Sequence, residues 1–157
     1  MKIQFWSVGK NHEGYLKSGI EDYTKRISNY YPVEWNIISP PRVAGVLHPT
    51  DLKKKEAEII LQQLKKEDWL VVLDEKGKII NTDQLAAFIS LRANESTKQL
   101  VFLIGGSFGL DSQLLQKARL VWSLSALTFP HQLVRLILSE QIYRACTIIR
   151  NEKYHHP

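Results

Sequence analysis

Short apolar runs alternate along the chain with longer segments in which apolar residues recur every three or four positions, the mark of strands interleaved with helices. Ile3–Val8 reads as a first strand, Tyr15–Ser28 as a helix and Val33–Ile38 as a second strand. Ser39–Pro49 holds Pro40, Pro41, Gly45 and Pro49 and is expected to be a loop, after which Thr50 or Asp51 caps a helix running to Lys66. Trp69–Leu73 is a continuous apolar run, as expected of a strand covered on both faces, and Asp74–Lys78 turns the chain. Thr82 is placed to cap a helix to Arg92, and Leu100–Ile104 is another buried strand. A short helix over Asp111–Lys117, a last strand over Leu120–Trp122 and a long helix from about Pro130 to Arg150 complete the pattern. Strand and helix alternate throughout, which specifies an α/β fold with a largely parallel sheet flanked by helices.

The last of these helices is unusually apolar. Leu133, Leu136 and Ile137 cover one side, and Val134, Leu138, Ile142, Ala145 and Ile149 carry apolar surface well beyond one stripe. An arc this wide needs two covers. One arrangement packs the helix between the sheet and a neighbouring helix; the other turns half of it toward a second subunit in an isologous dimer.

Composition narrows the class. With 157 residues, 44% hydrophobic and 24% charged, the chain suits one compact domain spanning residues 1–157, without repeats, low-complexity tracts or linker. Met1–Val8 does not read as a signal peptide, and no apolar stretch approaches the roughly 20 residues needed to cross a bilayer. A cytoplasmic protein with no membrane contact is expected. One cysteine, Cys146, excludes an internal disulfide and multi-cysteine zinc sites, and no metal is expected; its apolar helical setting reads as core filling, with a reactive thiol the other option. The net charge of +5 is unevenly spread: residues 1–75 hold 11 Lys/Arg and 11 Asp/Glu, residues 76–157 hold 10 and 5. A basic half concentrates polyanions, although ordinary solvated charge gives the same count. Lys53–Lys55 is likewise either a wet helix face or a contact for RNA phosphates.

In open parallel sheets ligands bind beyond the carboxyl ends of the strands, so the loops after Leu73, after Ile104 and after Trp122 are the place to look. Gly105-Gly106-x-x-Gly109 lets backbone approach a ligand closely, or simply makes a turn. It is not the dinucleotide fingerprint, which follows a first strand and reads G-x-G-x-x-G, and no nucleoside-triphosphate loop is present. Trp122–His131 mixes small hydroxyls and apolar residues without charge, a composition that can wall in a flat neutral group whose edges are read by backbone. Pro130 preorganises the helix start, where Thr128 and His131 meet free amides and the positive end of the dipole.

Leu103-Ile104-Gly105-Gly106-Ser107-x-Gly109, Ser123-Leu124-Ser125-Ala126-Leu127-Thr128-x-Pro130-His131, Arg135, Glu140-Gln141-x-Tyr143-Arg144-Ala145 and Tyr154-His155 together resemble the ribosomal RNA large subunit methyltransferase H family. The opening Met1-Lys2-Ile3 with Val8-Gly9-Lys10, and the segment around Leu73–Gly77, fit as well, so the likeness spans essentially the whole chain. Phe108 in the glycine loop and His156-Pro157 beyond the usual ending depart from the family pattern.

The resemblance implies a SPOUT-type α/β knot, in which the C-terminal segment is threaded into a deep trefoil knot, and a homodimer whose second subunit completes the site. It also implies S-adenosylmethionine as methyl donor, held by Leu73, Gly105, Leu124, Ser125, Ala126, Leu127, Thr128 and Phe129. The implied reaction is methylation at N3 of a pseudouridine in 23S rRNA within the assembled ribosome. N3 carries a proton at neutral pH, so a base is needed, and a histidine suits with an unperturbed pKa of about 6.5. His131 and His155 are the candidates, with Tyr154 and Arg144 beside the chemistry. His131 is equally readable as a capping or packing residue, and His155 as part of a frayed end. Arg135, Arg144, Arg150, Lys153 and Tyr154 are the expected RNA contacts, with Arg144 also placed to pair with Glu140 at i,i+4. A SPOUT enzyme acting on transfer RNA and a non-catalytic ribosome-bound factor are the competing expectations.

Overall fold

The computed structural model describes all 157 residues, Met1–Pro157. Five strands, β1 (Lys2–Val8), β2 (Val33–Ile38), β3 (Trp69–Ile79), β4 (Gln99–Ile104) and β5 (Leu120–Ser123), alternate with five helices. These are α1 (Gly14–Ile27), α2 (Pro49–Gln63), α3 (Thr82–Asn94), α4 (Ser112–Lys117) and α5 (His131–Ile149), with a 3-10 turn over Ala44–Val46. The strands form one sheet in the order β2-β1-β4-β3-β5, and every neighbouring pair is parallel.

Side chains alternate across a strand, so one apolar run feeds two cores. In β4, Leu100, Phe102 and Ile104 join Ile27 of α1, Ile89 of α3 and Leu138, Ile142 and Ala145 of α5. Val101 and Leu103 join Ala57 and Ile60 of α2 and Leu114 of α4 on the other face. All five apolar β4 side chains, Leu100–Ile104, are buried, each worth about 1.5–3 kcal/mol relative to exposure. This explains why the run lacks an inside-outside alternation. Cys146 is 1% exposed in the first core, and burial pushes its thiol up to about 12, which makes it an inert core residue.

The wide apolar arc of α5 is largely covered within the chain, because α5 lies against both α1 and α3. The α1 contact is close: a Cβ on Gly19 would stand 2.9 Å from Leu136 Cδ1. Leu133 and Ile137 keep part of their surface exposed. The arc alone therefore does not demand a second subunit.

Three local expectations need correction. Asn81, not Thr82, caps α3: its Oδ1 accepts from the Gln84 amide at 2.8 Å while Gln84 Oε1 accepts from the Asn81 amide at 2.9 Å. Thr82 instead donates its hydroxyl to Gln141 Oε1 on α5 at 3.1 Å. His48 rather than Thr50 or Asp51 caps α2, with Pro49 in the first turn, and the helix stops at Gln63 because the chain bends over Asp68, which accepts from the Lys65 amide at 2.9 Å. Finally, β3 does not end at Leu73. Asp74–Gly77 swings out and returns, so that both Leu73 and Lys78 face Trp122, and Ile79 faces Ser123.

That return depends on one residue. A Cβ on Gly77 would lie 2.7 Å from the Val121 carbonyl oxygen and 2.8 Å from Trp122 C, both backbone atoms that cannot rotate away. Gly77→Ala is expected to cost about 1–3 kcal/mol in denaturant unfolding as β3 and β5 are forced apart. An unchanged midpoint would show that the strands separate freely.

Candidate active site

Because all strands run the same way, their carboxyl ends share one edge of the sheet. Leu73 is in register with both Ile104 and Trp122, so the loops after β3, β4 and β5 start level and side by side. Between them lies a cleft of about 980 Å³, at the upper end of the range for small-molecule sites. Leu73, Gly105, Leu124, Ser125, Leu127, Thr128 and Phe129 line it; Ala126 alone of the expected donor contacts does not. Trp122, Phe108, Pro130, His131 and Val134 complete much of the wall, and charge is confined to Lys53, Asp74, Glu75 and Lys76.

Each wall is fixed by its own local bonds. After β4 the chain doubles back, the Gly109 amide donating to the Gly106 carbonyl at 3.1 Å with Gly109 at φ +82°. Gly105 has no room for a side chain: its Cβ would be 2.9 Å from Leu110 and 3.1 Å from Gly109 C. After β5, Ser123 donates its hydroxyl to the Ser125 carbonyl at 2.8 Å, and Ser125 Oγ accepts from the Leu127 amide at 3.0 Å. Thr128 Oγ1 donates to Glu75 Oε2 at 3.0 Å and so ties the loop after β5 to the excursion in β3. These small hydroxyls are spent on shaping the loop, leaving much of the wall apolar. Leu127 (69% exposed) and Phe108 (55%) stand out from the rim.

His131 is the one histidine on the cleft wall. Burial and then the Arg135 guanidinium lower its pKa below the ordinary histidine value, against a smaller opposite pull from Glu13. It is therefore a neutral imidazole at pH 7, able to accept a proton. His12, in the loop after β1, is lowered by burial and the same arginine.

The two rings bear on acid stability. Well above about pH 6.5 both are neutral whether the chain is folded or not, so they add no pH dependence there. Below it the unfolded chain takes up protons first, and stability falls as pH drops through the lowered folded values. The denaturation midpoint is expected to be lower at about pH 5.5 than at about pH 7.5. The fall should shrink in a His12→Asn/His131→Asn double variant; an undiminished fall would assign it to other groups.

The remaining expected site residues lie elsewhere. Arg135 corrects an expectation, because it is fully buried and offers no surface to a phosphate. Arg144 pairs with Glu140, whose Oε1 also accepts from the Tyr154 hydroxyl at 3.1 Å, and its guanidinium lies 4.6 Å from the Tyr154 ring centroid. The Tyr154 ring packs edge-on against Tyr143 at 4.7 Å. Burial is the main cause of the raised Tyr154 pKa, so its phenol stays protonated. The tail is thus latched to α5 rather than frayed. His155 is half-buried with Nδ1 unpartnered, while Arg150 and Lys153 are exposed. None of Arg144, Tyr154 and His155 lines the cleft, and Arg144 lies 13 positions, about 20 Å of helix, beyond His131.

Sequence reading missed Glu75 as the partner of Thr128 at the rim, the place of Lys53 in the cleft wall rather than on a wet face or as an RNA contact alone, and His12. The first two are joined to the cleft only by folding; His12 had a local signal in Gly9, a glycine just after a strand.

A family model described as "Predicted SPOUT methyltransferase" matches residues 1–155. Among curated proteins, the ribosomal RNA large subunit methyltransferase H of Cytophaga hutchinsonii is 42% identical over 156 residues, covering 99% of this chain and 100% of its own. Those of Parabacteroides distasonis (40% over 156 residues) and Desulforamulus reducens (42% over 158) each match across 99% of both chains. Among solved structures, a probable methylase family protein from Haemophilus influenzae superposes with a TM-score of 0.53 at 12% identity, covering 99% of this chain and 70% of that one, a likeness of fold alone. With a family model matched over residues 1–155 and relatives 40–42% identical along the full chain, the chain belongs to the SPOUT methyltransferases and, among them, to the ribosomal RNA large subunit methyltransferase H family.

Proposed function

We propose that the protein transfers a methyl group from S-adenosylmethionine to N3 of a pseudouridine in 23S rRNA, acting on assembled ribosomes as a cytoplasmic homodimer. The observation that carries this reading is the convergence on one cleft of a glycine-rich loop after β4, an uncharged loop after β5 and the charged excursion of β3, with a neutral histidine in the wall.

The residues fit the donor. Its adenosyl portion is flat and neutral, and Leu73, Leu124 and Leu127 offer apolar cover, while Gly105, which tolerates no side chain, leaves the backbone free to read polar edges. When bound, S-adenosylmethionine supplies an electrophilic methyl group. His131 takes the proton from N3, the step that makes this nitrogen a nucleophile. Apolar cover from Leu124 and Phe129 keeps water from the reacting centre.

In this reading a second subunit brings its Tyr154, His155 and Arg144 toward the cleft, since those residues stand apart from it in their own chain. The exposed Leu127, Phe108 and Ile79 around the cleft edge support such an apposition.

Labelled donor incubated with ribosomes lacking the mark should place one methyl group on one pseudouridine. Absence of transfer to intact ribosomes and to free 23S rRNA would overturn the proposal, and transfer to transfer RNA alone would redirect it to that substrate.

A further inference from the structure

Arg135 heads the largest fully buried side chains of the protein and is the only ionisable one among them. It belongs to a polar stripe, Gln132, Arg135 and Ser139, buried in the first half of α5. No carboxylate lies within ion-pair distance of it. A buried cation without a counter-ion costs several kcal/mol, and a hydrocarbon of similar volume would fill the same space without that cost. The guanidinium is retained for something a hydrocarbon cannot do.

Its bonds show what that is. Nε donates to Ser7 Oγ at 2.9 Å, Nη1 donates to the Lys10 carbonyl at 2.8 Å and to Gln132 Oε1 at 3.3 Å, and Nη1 lies 3.3 Å from His12 Nδ1. Gln132 extends the hold, donating to the Asn11 carbonyl at 3.1 Å and accepting from the Glu13 amide at 3.2 Å. The whole turn from Lys10 to Glu13 is thereby fastened to the start of α5. Gly9 opens this turn at φ +137°, and the point where its Cβ would sit is 3.4 Å from Arg135 Nη2 and 3.6 Å from His131 Nε2. Nη2 itself is buried without a partner. The turn follows β1, whose Ser7 is in register with Ile104, the residue before Gly105, and it meets the cleft wall at His131.

We propose that Arg135 is a positioning residue for proton removal: it clamps the Gly9–Glu13 turn beneath His131 and so fixes the imidazole at the cleft wall. Its charge acts in the same direction, since a permanent cation one helical turn away disfavours a second positive charge on His131, with Glu13 the only carboxylate opposing it. The effect on turnover rests on the methyltransferase reading; the clamp does not.

The test uses the full chain with Arg135→Met and Arg135→Lys. Without RNA or donor, NMR titration of His131 should move up toward the ordinary value of about 6.5 in Arg135→Met and stay low in Arg135→Lys. Exchange of the Glu13 amide should quicken at least about tenfold in both, while β4 amides stay protected. In methyl transfer, kcat should fall about a hundredfold in Arg135→Met with donor KM unchanged within about threefold. An unmoved His131 titration with an unmoved Glu13 amide, or kcat and donor KM shifting together, would reduce Arg135 to core packing. Should Arg135→Met fail to fold, the Glu13 amide in Arg135→Lys decides. Should the unmodified protein transfer no methyl, the functional proposal falls and the two NMR measurements still judge the clamp.

Discussion

Replacing His131 by alanine is expected to lower kcat for methyl transfer by about two to four orders of magnitude, the usual contribution of a positioned acid or base. Donor affinity, measured by calorimetry, should change only slightly, because the cleft keeps its three loops. The pH dependence gives a second handle. Burial and Arg135 hold the imidazole below the ordinary histidine value, so in the unmodified protein kcat should be flat through pH 7 and fall only as acid protonates the ring below about pH 6.5. In His131→Ala that acid limb should disappear. A variant that keeps full turnover would transfer the role to His155 of a second subunit or to solvent.

Phe102→Ala should give the largest loss of stability, about 3–5 kcal/mol in denaturant unfolding. Phe102 is fully buried at the middle of the central strand, paired in register with Phe5 on one side and Val71 on the other, and its ring meets Phe5 at 6.0 Å and Trp122 at 6.1 Å. Nothing around it can collapse into the space without moving a strand. Trp122 also lines the cleft, so the damage should extend to the site and weaken donor binding. A loss under about 1 kcal/mol would mean that the aromatic cluster repacks.

Much of the architecture could be read before folding, and for a physical reason. β1 and β4 are short, mostly apolar runs, β2 alternates apolar and polar positions before Ile37-Ile38, and α1 and α5 carry sustained helical periodicity, so local pattern and tertiary burial agree. Where they disagree the sequence misleads. Asp74–Gly77 has turn chemistry and does bend, yet nothing local says that Lys78 will rejoin the strand opposite Trp122. Asn81 and Thr82 are both good capping residues, and Gln84 three positions after Asn81 decides between them. The loops that wall the cleft were legible because parallel strands bring their carboxyl ends together, whatever the details. Arg135 was not, since an arginine on an apolar helix can snorkel outward or be enclosed. Gln132 and Ser139, polar neighbours on the same stripe, were the available clue.

The fate of the arginines also alters what the basic half of the chain can do. Of its ten cations, Arg135 is enclosed, Arg144 is committed to Glu140 and Arg92 to Glu95. Lys98, Lys117 and Arg119 lie just before β4 and β5, at the edge of the sheet opposite the cleft. Lys76 and Lys78 beside the cleft, with Arg150 and Lys153 near the tail, are what remains. Each phosphate neutralised adds about one unit to the slope of log affinity against log salt. With Lys53, Lys76 and Lys78 the few cations at or beside its cleft, the chain should bind RNA with a shallow salt dependence, as expected where shape rather than condensation on a polyanion sets affinity.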